Sequence, residues 1–598
     1  MPDATPRFTT TPISLGSKVL GGGLNTTAGP LHLEDNESSD LQNIDFDKFG
    51  SILKRSGYTP LNTTAITGGK KSDGLYWYEF DVSGATTRRL VNVTNGKLYT
   101  MADPLTAGSW TDKTGSATIT ASNFCDFETF NNLMFITNGV NPPLQVSTTG
   151  NAQAIPALLA NSYTFAVNSI TTAPAVGDTY TNNGITYTIS YLNVSGTSTA
   201  IAGYIVATGS GAPTTSGNLV RATGSGDDPI AYTAYNANVN ITKAKYVCLY
   251  NNYLFLANVT LGDGTYHPTR IYWCDIRNPN SWLATSWIEV NYLDGQEITG
   301  LRVLQGYLYI FKTRSIFGLS FTGDADFPFI LPGGGQTGSS VGCVAPYSIC
   351  DMEMGIIFVS YDGVYIFDGS TSYKLTDKIR DTFLGLNTLR LNQCVTTVNR
   401  KKNMVYLSFP SSINNDVVLV WNFFLNSWSK YKGLAPASMA TAFIGGSDEQ
   451  PLFADYDGFV YKMDEGTDDY PLNVETAIDA YYYTNWKSFD DLINKKGIPE
   501  VTIYYAQYDA TLTFSYSYDF DIADQFSNTF KTDIVGAMIW GVGLWGVGLW
   551  GGSGGGAVVR RDLTGRGRVV RLKISNATIG ETFRIDGFGV YAQLDTNV

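Results

Sequence analysis

Histidine is nearly absent from this chain of 598 residues: there are two, His32 and His267, and neither has a nucleophile and an acid placed around it in a catalytic pattern. A histidine-based triad is therefore hard to place. HExxH, GxSxG, the P-loop and a GxGxxG opening a helix are also missing. The six cysteines (Cys125, Cys248, Cys274, Cys343, Cys350, Cys394) lack CxxC or metal-finger spacing, which points to reduced, mostly buried thiols. Charged residues make up only 16%, and 40 basic against 53 acidic give −13, the wrong sign for wrapping nucleic acid. An acidic wall is still compatible with a passage for DNA, because repulsion keeps a polyanion from sticking. Residues 1–15 hold no apolar run of the secretory kind, so assembly in a cytoplasm is expected.

What the chain does have is a repeat. Tyr253-Leu254-Phe255-Leu256 returns as Tyr307-Leu308-Tyr309-Ile310, Ile356-Ile357-Phe358-Val359, Met404-Val405-Tyr406-Leu407 and Pro451-Leu452-Phe453-Ala454, at steps of 54, 49, 48 and 47 residues. Each run is too short for a helix and ends in turn chemistry. Asp362-Gly363 and Asp457-Gly458 sit between paired runs, where Asp-Gly supplies the positive φ angles of a tight hairpin. A period of this size, built from strands, predicts four-stranded blades around an axis. The fold class is therefore all-β, a β-propeller of six to eight blades; the alternative is a run of unrelated hairpins in a sandwich.

The strands begin at residue 71, and Leu133 to Thr137 before Asn138-Gly139 is a further copy of the run. From Met134 to Leu254 is 120 residues, too many for one blade, and the Thr-, Ala- and Gly-rich stretch 155–232 accounts for 78 of them. The propeller is thus expected over 71–154 and 233–470, with 155–232 an inserted small β-domain on a loop. Asn278-Pro279 stops a strand, and Trp282 is expected to cover a blade edge. Residues 471–598 carry alternating strands of a separate, sandwich-like β-domain. Within it Trp540, Trp545 and Trp550 recur every five residues among glycines, and no charge lies between Ile534 and Val559. Five matches neither helix nor strand period. The readings are a packed turn-rich loop or subunit contact, a tip that touches a membrane, or disorder.

Asp519-Phe520-Asp521 with Asp524 is the most acidic cluster beside aromatics, and a pair of acids is what a glycosidase needs. Acids in turns are more often solvated, and no catalytic residue, cofactor or metal is expected. Asp45-Phe46-Asp47-Lys48-Phe49-Gly50 opens like a calcium loop, but lacks the bidentate Glu and the helices of an EF-hand and reads as a turn.

Residues 1–70 are expected to form an extended arm with one hairpin. They contain Gly21-Gly22-Gly23-Leu24-Asn25, Pro30-Leu31, Asn36-Glu37-Ser38 and then Leu41-Gln42-Asn43-Ile44-Asp45-Phe46-Asp47, Gly50, Leu53, Arg55 and Gly57-Tyr58. This order resembles the N-terminal region of β-propeller structural proteins of bacteriophage tails, particularly the nozzle or hub of short-tailed phages. The resemblance implies a virion protein assembled in the host cytoplasm, with copies of itself, six by analogy, ringing the channel that DNA crosses during ejection. It further implies tail adaptor or portal-side proteins and tail fibres as partners, with host membrane contact an open option. The rival readings are a carbohydrate-binding or cleaving tail adhesin and a membrane-contacting tail tip.

Overall fold

The computed structural model describes residues 20–594 except 104, 106–109, 198–199, 326, 507, 522, 525 and 533–555. Among the described residues, seven four-stranded sheets follow one another along the chain. Six are meanders in chain order; the seventh takes its fourth strand, Tyr58–Pro60, from the N-terminal region. A succession of small four-stranded sheets is the propeller-like, all-β architecture that the repeat predicts.

The five repeated runs all lie on second strands: Tyr253–Leu261, Tyr307–Lys312, Gly355–Ser360, Met404–Pro410 and Asp448–Ala454. A second strand has a ladder partner at each edge and packing on both faces. Met404–Pro410 is accordingly buried at every position, and so is Leu133–Thr137 of the second sheet. Such strands read as unbroken apolar runs rather than alternations. The two Asp-Gly turns differ from each other. Gly458 has φ of 84°, and the Asp455 carboxylate accepts from the Asp457 and Phe459 N–H groups at 2.9 and 2.8 Å. Gly363, in contrast, is already the first residue of strand Gly363–Phe367 and has no positive φ. It is small because a Cβ there would lie 2.3 Å from Thr376 Oγ1.

The chain forms two compact units, and their limits fall elsewhere than at 70 and 470. One comprises Met1–Ala65, Asp362–Val364 and Lys374–Val598. It holds the sixth and seventh sheets and two larger antiparallel sheets of five and six strands. These two form the C-terminal sandwich: Val570–Asn576 alternates between buried and half-buried residues, and the rings of Tyr505 and Phe530, one from each sheet, lie 6.0 Å apart. Both sheets also contain N-terminal strands. Leu41–Gln42 pairs with Ala480–Tyr483, and the hairpin Ile44–Phe46 with Ile52–Lys54 joins Arg584–Leu594. Residues 20–65 are thus woven through this unit rather than extended as an arm, because several of their short strands find long-range ladder partners.

The other unit comprises Ile66–Tyr361 and Tyr365–Tyr373 and holds the first four sheets and most of the fifth. The insert within it is a closed six-stranded barrel running from Ser162 to Ala237 around Phe165, Tyr180, Tyr187, Ile205 and Leu219. Closure removes the exposed edges a small sheet would otherwise present. Trp282 does more than cover a blade edge. It is fully buried among Leu158, Val206 of the barrel, and Leu254 and Cys274 of the third sheet, and its indole Nε1 donates to Pro279 O at 2.7 Å. Replacing Trp282 with Ala should lower the unfolding free energy by about 3–5 kcal/mol, measured by urea titration.

Candidate functional site

Trp540, Trp545 and Trp550 lie outside the described residues. The acids of the 519–524 cluster serve the local fold: Asp519 Oδ1 accepts from Arg568 N at 2.5 Å, Asp521 Oδ1 from Ala523 N at 3.1 Å, and Asp524 pairs with Lys573 at 2.9 Å. His267 lies 3.7 Å from Glu289, and its pKa is lowered by burial and by Arg270. Five of the cysteines are buried, Cys350 is half-buried, and all six are unbridged. Among the described residues no cluster of three potential metal ligands occurs, and no helix is long and apolar enough to cross a membrane.

The N-terminal segment from Gly21 to Tyr58 forms a clasp within the first unit. Glu37 is buried, accepting from Asn25 Nδ2 at 2.8 Å and pairing with Lys378 at 2.9 Å. Gly23, at φ of 77°, lies against the backbone of Trp428, where a Cβ would come within 2.7 Å of its nitrogen. Asn43 also takes a positive φ, 56°, and its side-chain oxygen accepts from Arg55 Nε and Lys432 N, each at 2.9 Å. Asp47 caps the hairpin turn, accepting from Phe49 N at 2.8 Å and Ser51 N at 2.9 Å, and pairs with Arg584 at 3.1 Å. A carboxylate so engaged is a turn acceptor, as the sequence pattern predicts.

The second half of the motif is anchored on the seventh sheet. Arg55 grips Asp469 through both guanidinium nitrogens at 2.8 and 2.6 Å, with both side chains buried. Gly57 passes so close to Asp468 that a Cβ would sit 1.8 Å from its carbonyl oxygen. Tyr58 then meets Phe453 and Tyr461 edge-on, at 5.1 and 5.0 Å between ring centroids, and its hydroxyl donates to Gly433 O at 3.0 Å. Beneath this lies a buried polar group in which the Tyr431 hydroxyl donates to Asp45, and Asp464 accepts from Tyr406 at 2.9 Å and pairs with Lys402 at 3.0 Å. Burial pushes the Asp45 carboxyl up to about 7; Lys402 and Arg55 pull it down and Asp464 adds to the rise.

A second polar cluster lies where the first strands of successive sheets converge in the other unit. There Ser72–Val82 touches Asp126–Phe130, which touches Ile241–Tyr250, which touches Ile298–Leu304. Asp126 and Glu128 reach sideways to accept from Val247 N and Leu249 N, each at 3.0 Å. Burial pushes Glu128 up to about 7, and Arg302 opposes the rise. Arg302 itself lies 4.0 Å from Asp351. Phe124, next to the second sheet, stacks on Tyr347, next to the fifth, at 4.5 Å between centroids, and accepts from its hydroxyl through the backbone at 3.1 Å. This contact joins segments next to two non-consecutive sheets.

No protein-family model and no curated protein matches the chain. Among solved structures, the computationally designed Ika8 protein aligns over 68% of this chain and 99% of its own, at 12% identity and a TM-score of 0.33. BamB from Moraxella catarrhalis aligns over 69% and 97%, at 12% identity and 0.31. An exo-β-1,3-galactanase from Phanerochaete chrysosporium aligns over 86% and 95%, at 10% identity and 0.17. The architecture given above rests on strand order and register.

Removing Arg55 leaves Asp469 buried without its partner, so Arg55→Met should cost about 3–5 kcal/mol, with partial recovery in Arg55→Met/Asp469→Leu, read by denaturant unfolding. The raised Asp45 has the opposite sign from a salt-bridged acid. Its contribution to stability is present below its ordinary value of 3.8 and is lost as pH rises through about 7. Wild type should therefore lose stability relative to Asp45→Asn between pH 5 and pH 8, measured by urea unfolding at each pH.

Proposed function

We propose that this chain is a structural virion protein of a bacteriophage tail, of the nozzle or hub kind, whose copies close a ring around the channel for DNA. The observation that carries the reading is the N-terminal motif, whose residues are spent on one specific task, tying the chain start to the seventh sheet and the sandwich. A motif so used is a signature of architecture, and the architecture it resembles is that of tail proteins. Six copies, contact with adaptor or portal-side proteins and tail fibres, and location in the virion follow from the same resemblance.

A closed ring of identical subunits needs a heterologous interface. The first unit offers apolar side chains for one. Leu384 ends a short helix, Leu389 is 94% exposed, and Ile413 is 63% exposed on the hairpin loop that Asn387 Nδ2 grips through Ser412 O at 2.5 Å. The net charge of −13 suits a wall along which DNA slides rather than binds. Phosphate contacts are not required of it.

Negative-stain imaging and mass measurement of the purified chain should show rings with a central hole, at six times 65.1 kDa. Leu389→Asp with Ile413→Asp should release monomers of unchanged thermal midpoint. A wild-type chain that stays monomeric at all concentrations overturns the ring.

A further inference from the structure

The strongest unassigned feature is a cleft of about 740 Å³ in the second unit, lined by the third, fourth and fifth sheets. Tyr266 enters it from strand Tyr266–Trp273, and Tyr292 and Leu293 from the connection between the third and fourth sheets. Arg314 comes from a turn within the fourth sheet, and Tyr361 from a hairpin of the fifth. The exposed apolar surface is large: Tyr266 is 54% exposed, Tyr292 64%, Tyr361 59% and Leu293 81%. Side chains of this size normally go inside, and their gathering around one cleft marks a contact surface.

The loop that carries two of them is built for rigid display. Asn291, Leu293 and Gly295 all have positive φ, at 47°, 63° and 71°, a conformation that is strained for a leucine. The strain is held by Asp294, which accepts from Asn291 Nδ2 at 3.0 Å, Gln296 N at 2.9 Å and the Lys312 ammonium at 2.6 Å. Lys312 is fully buried and also donates to Val290 O and Asn291 O at 3.0 and 3.2 Å. A buried ammonium against this strained loop fixes the backbone that carries Tyr292 and Leu293 before any ligand arrives, which reduces the ordering cost of binding.

The polar lining narrows the ligand class. Arg314 is its one cation and Glu297 its one carboxylate, so it favours neither a polyanion nor a polycation. Gln296 Oε1 is fixed by Arg314 N at 2.9 Å and Ser315 Oγ at 3.1 Å, and Glu297 Oε2 accepts from Asn258 Nδ2 at 3.0 Å and Tyr266 OH at 3.2 Å. Hydrolysis of a glycosidic bond takes two carboxyl groups flanking it. The lining supplies one, already occupied in holding the cleft together. Flat tyrosine faces beside fixed amide, carboxylate and hydroxyl groups match a ligand with C–H faces and a rim of hydroxyls.

We propose that this cleft binds a short neutral oligosaccharide and does not cleave it, with Tyr292 and Tyr361 as stacking platforms and Gln296, Glu297 and Arg314 directed at hydroxyl groups. The proposal stands independently of the ring, since all lining residues belong to one chain. The test is calorimetry and saturation-transfer NMR on the full chain with four neutral tetrasaccharides: α-linked glucose, β-linked glucose, β-linked N-acetylglucosamine and β-linked galactose. At least one should bind, Tyr292→Ala and Tyr361→Ala should each weaken it about tenfold, and Tyr373→Ala, 58% exposed outside the cleft, should not. Thermal midpoints should be the same for all four proteins. Binding to none of the four at millimolar concentration, binding undiminished in both cleft variants, or release of new reducing ends overturns the proposal. Oligomeric state recorded on the same samples separates its failure from that of the ring.

Discussion

The pairing of Tyr58–Pro60 with Val460–Met463 is the contact on which the first unit depends. The seventh sheet draws three strands from its own stretch of chain, and without the fourth its last strand would present a row of unpaired N–H and C=O groups. Such an edge is a template for association with other chains. The N-terminal strand covers it, and the ion pair beside it joins residues 414 apart in sequence. Closing so long a loop costs little more at equilibrium than closing a moderate one, because the entropy grows only with the logarithm of length. It is slow, however, to find the partner. Buried, directional contacts such as Arg55 with Asp469 therefore specify the register as much as they stabilise it.

This dependence explains which parts of the fold were legible in the sequence. Second strands such as Met404–Pro410 are packed on both faces and write themselves as apolar runs, so the repeat, its period and the sheet-based architecture could be read directly. The insert was legible by composition and by its excess over one repeat, but barrel closure was not, since closure is a matter of pairing between strands such as Ser162–Ile170 and Ile230–Ala237. The N-terminal strands are two or three residues long, and Leu41–Gln42 has no periodicity to detect. Leu41–Gln42, Ile52–Lys54 and Tyr58–Pro60 find partners in the last quarter of the chain, about which local pattern carries no information. Gly363 shows the same limit at one residue: an Asp-Gly pair predicts a positive φ, whereas here the glycine answers to the side chain of Thr376.

The two polar clusters follow one rule with different partners. In the clasp, Asp45 is surrounded by other side chains and is held by a tyrosine hydroxyl. At the convergence of first strands, Asp126 and Glu128 satisfy backbone N–H groups of the neighbouring sheet, a task normally left to a ladder. Sheets that meet as separate wedges cannot share a continuous ladder, so side-chain carboxylates substitute for it. The Phe124–Tyr347 stack adds an aromatic contact between residues next to the second and fifth sheets.

A motif and a site need not coincide in a protein of this kind. Residues of the N-terminal motif such as Glu37, Asn43, Arg55 and Gly57 are buried or turn-forming and hold the chain together; they would be required whatever the protein contacts. The cleft residues are the reverse: Tyr292, Leu293 and Tyr361 are exposed on connections between strands, where replacement alters little of the core. Connections tolerate change because their side chains are not fixed by the sheet, and binding specificity collects there for that reason. Lys312 links the two levels. It sits on a second strand buried from Leu308 to Lys312, so the sheet that makes the architecture also sets the geometry of the loop beside it.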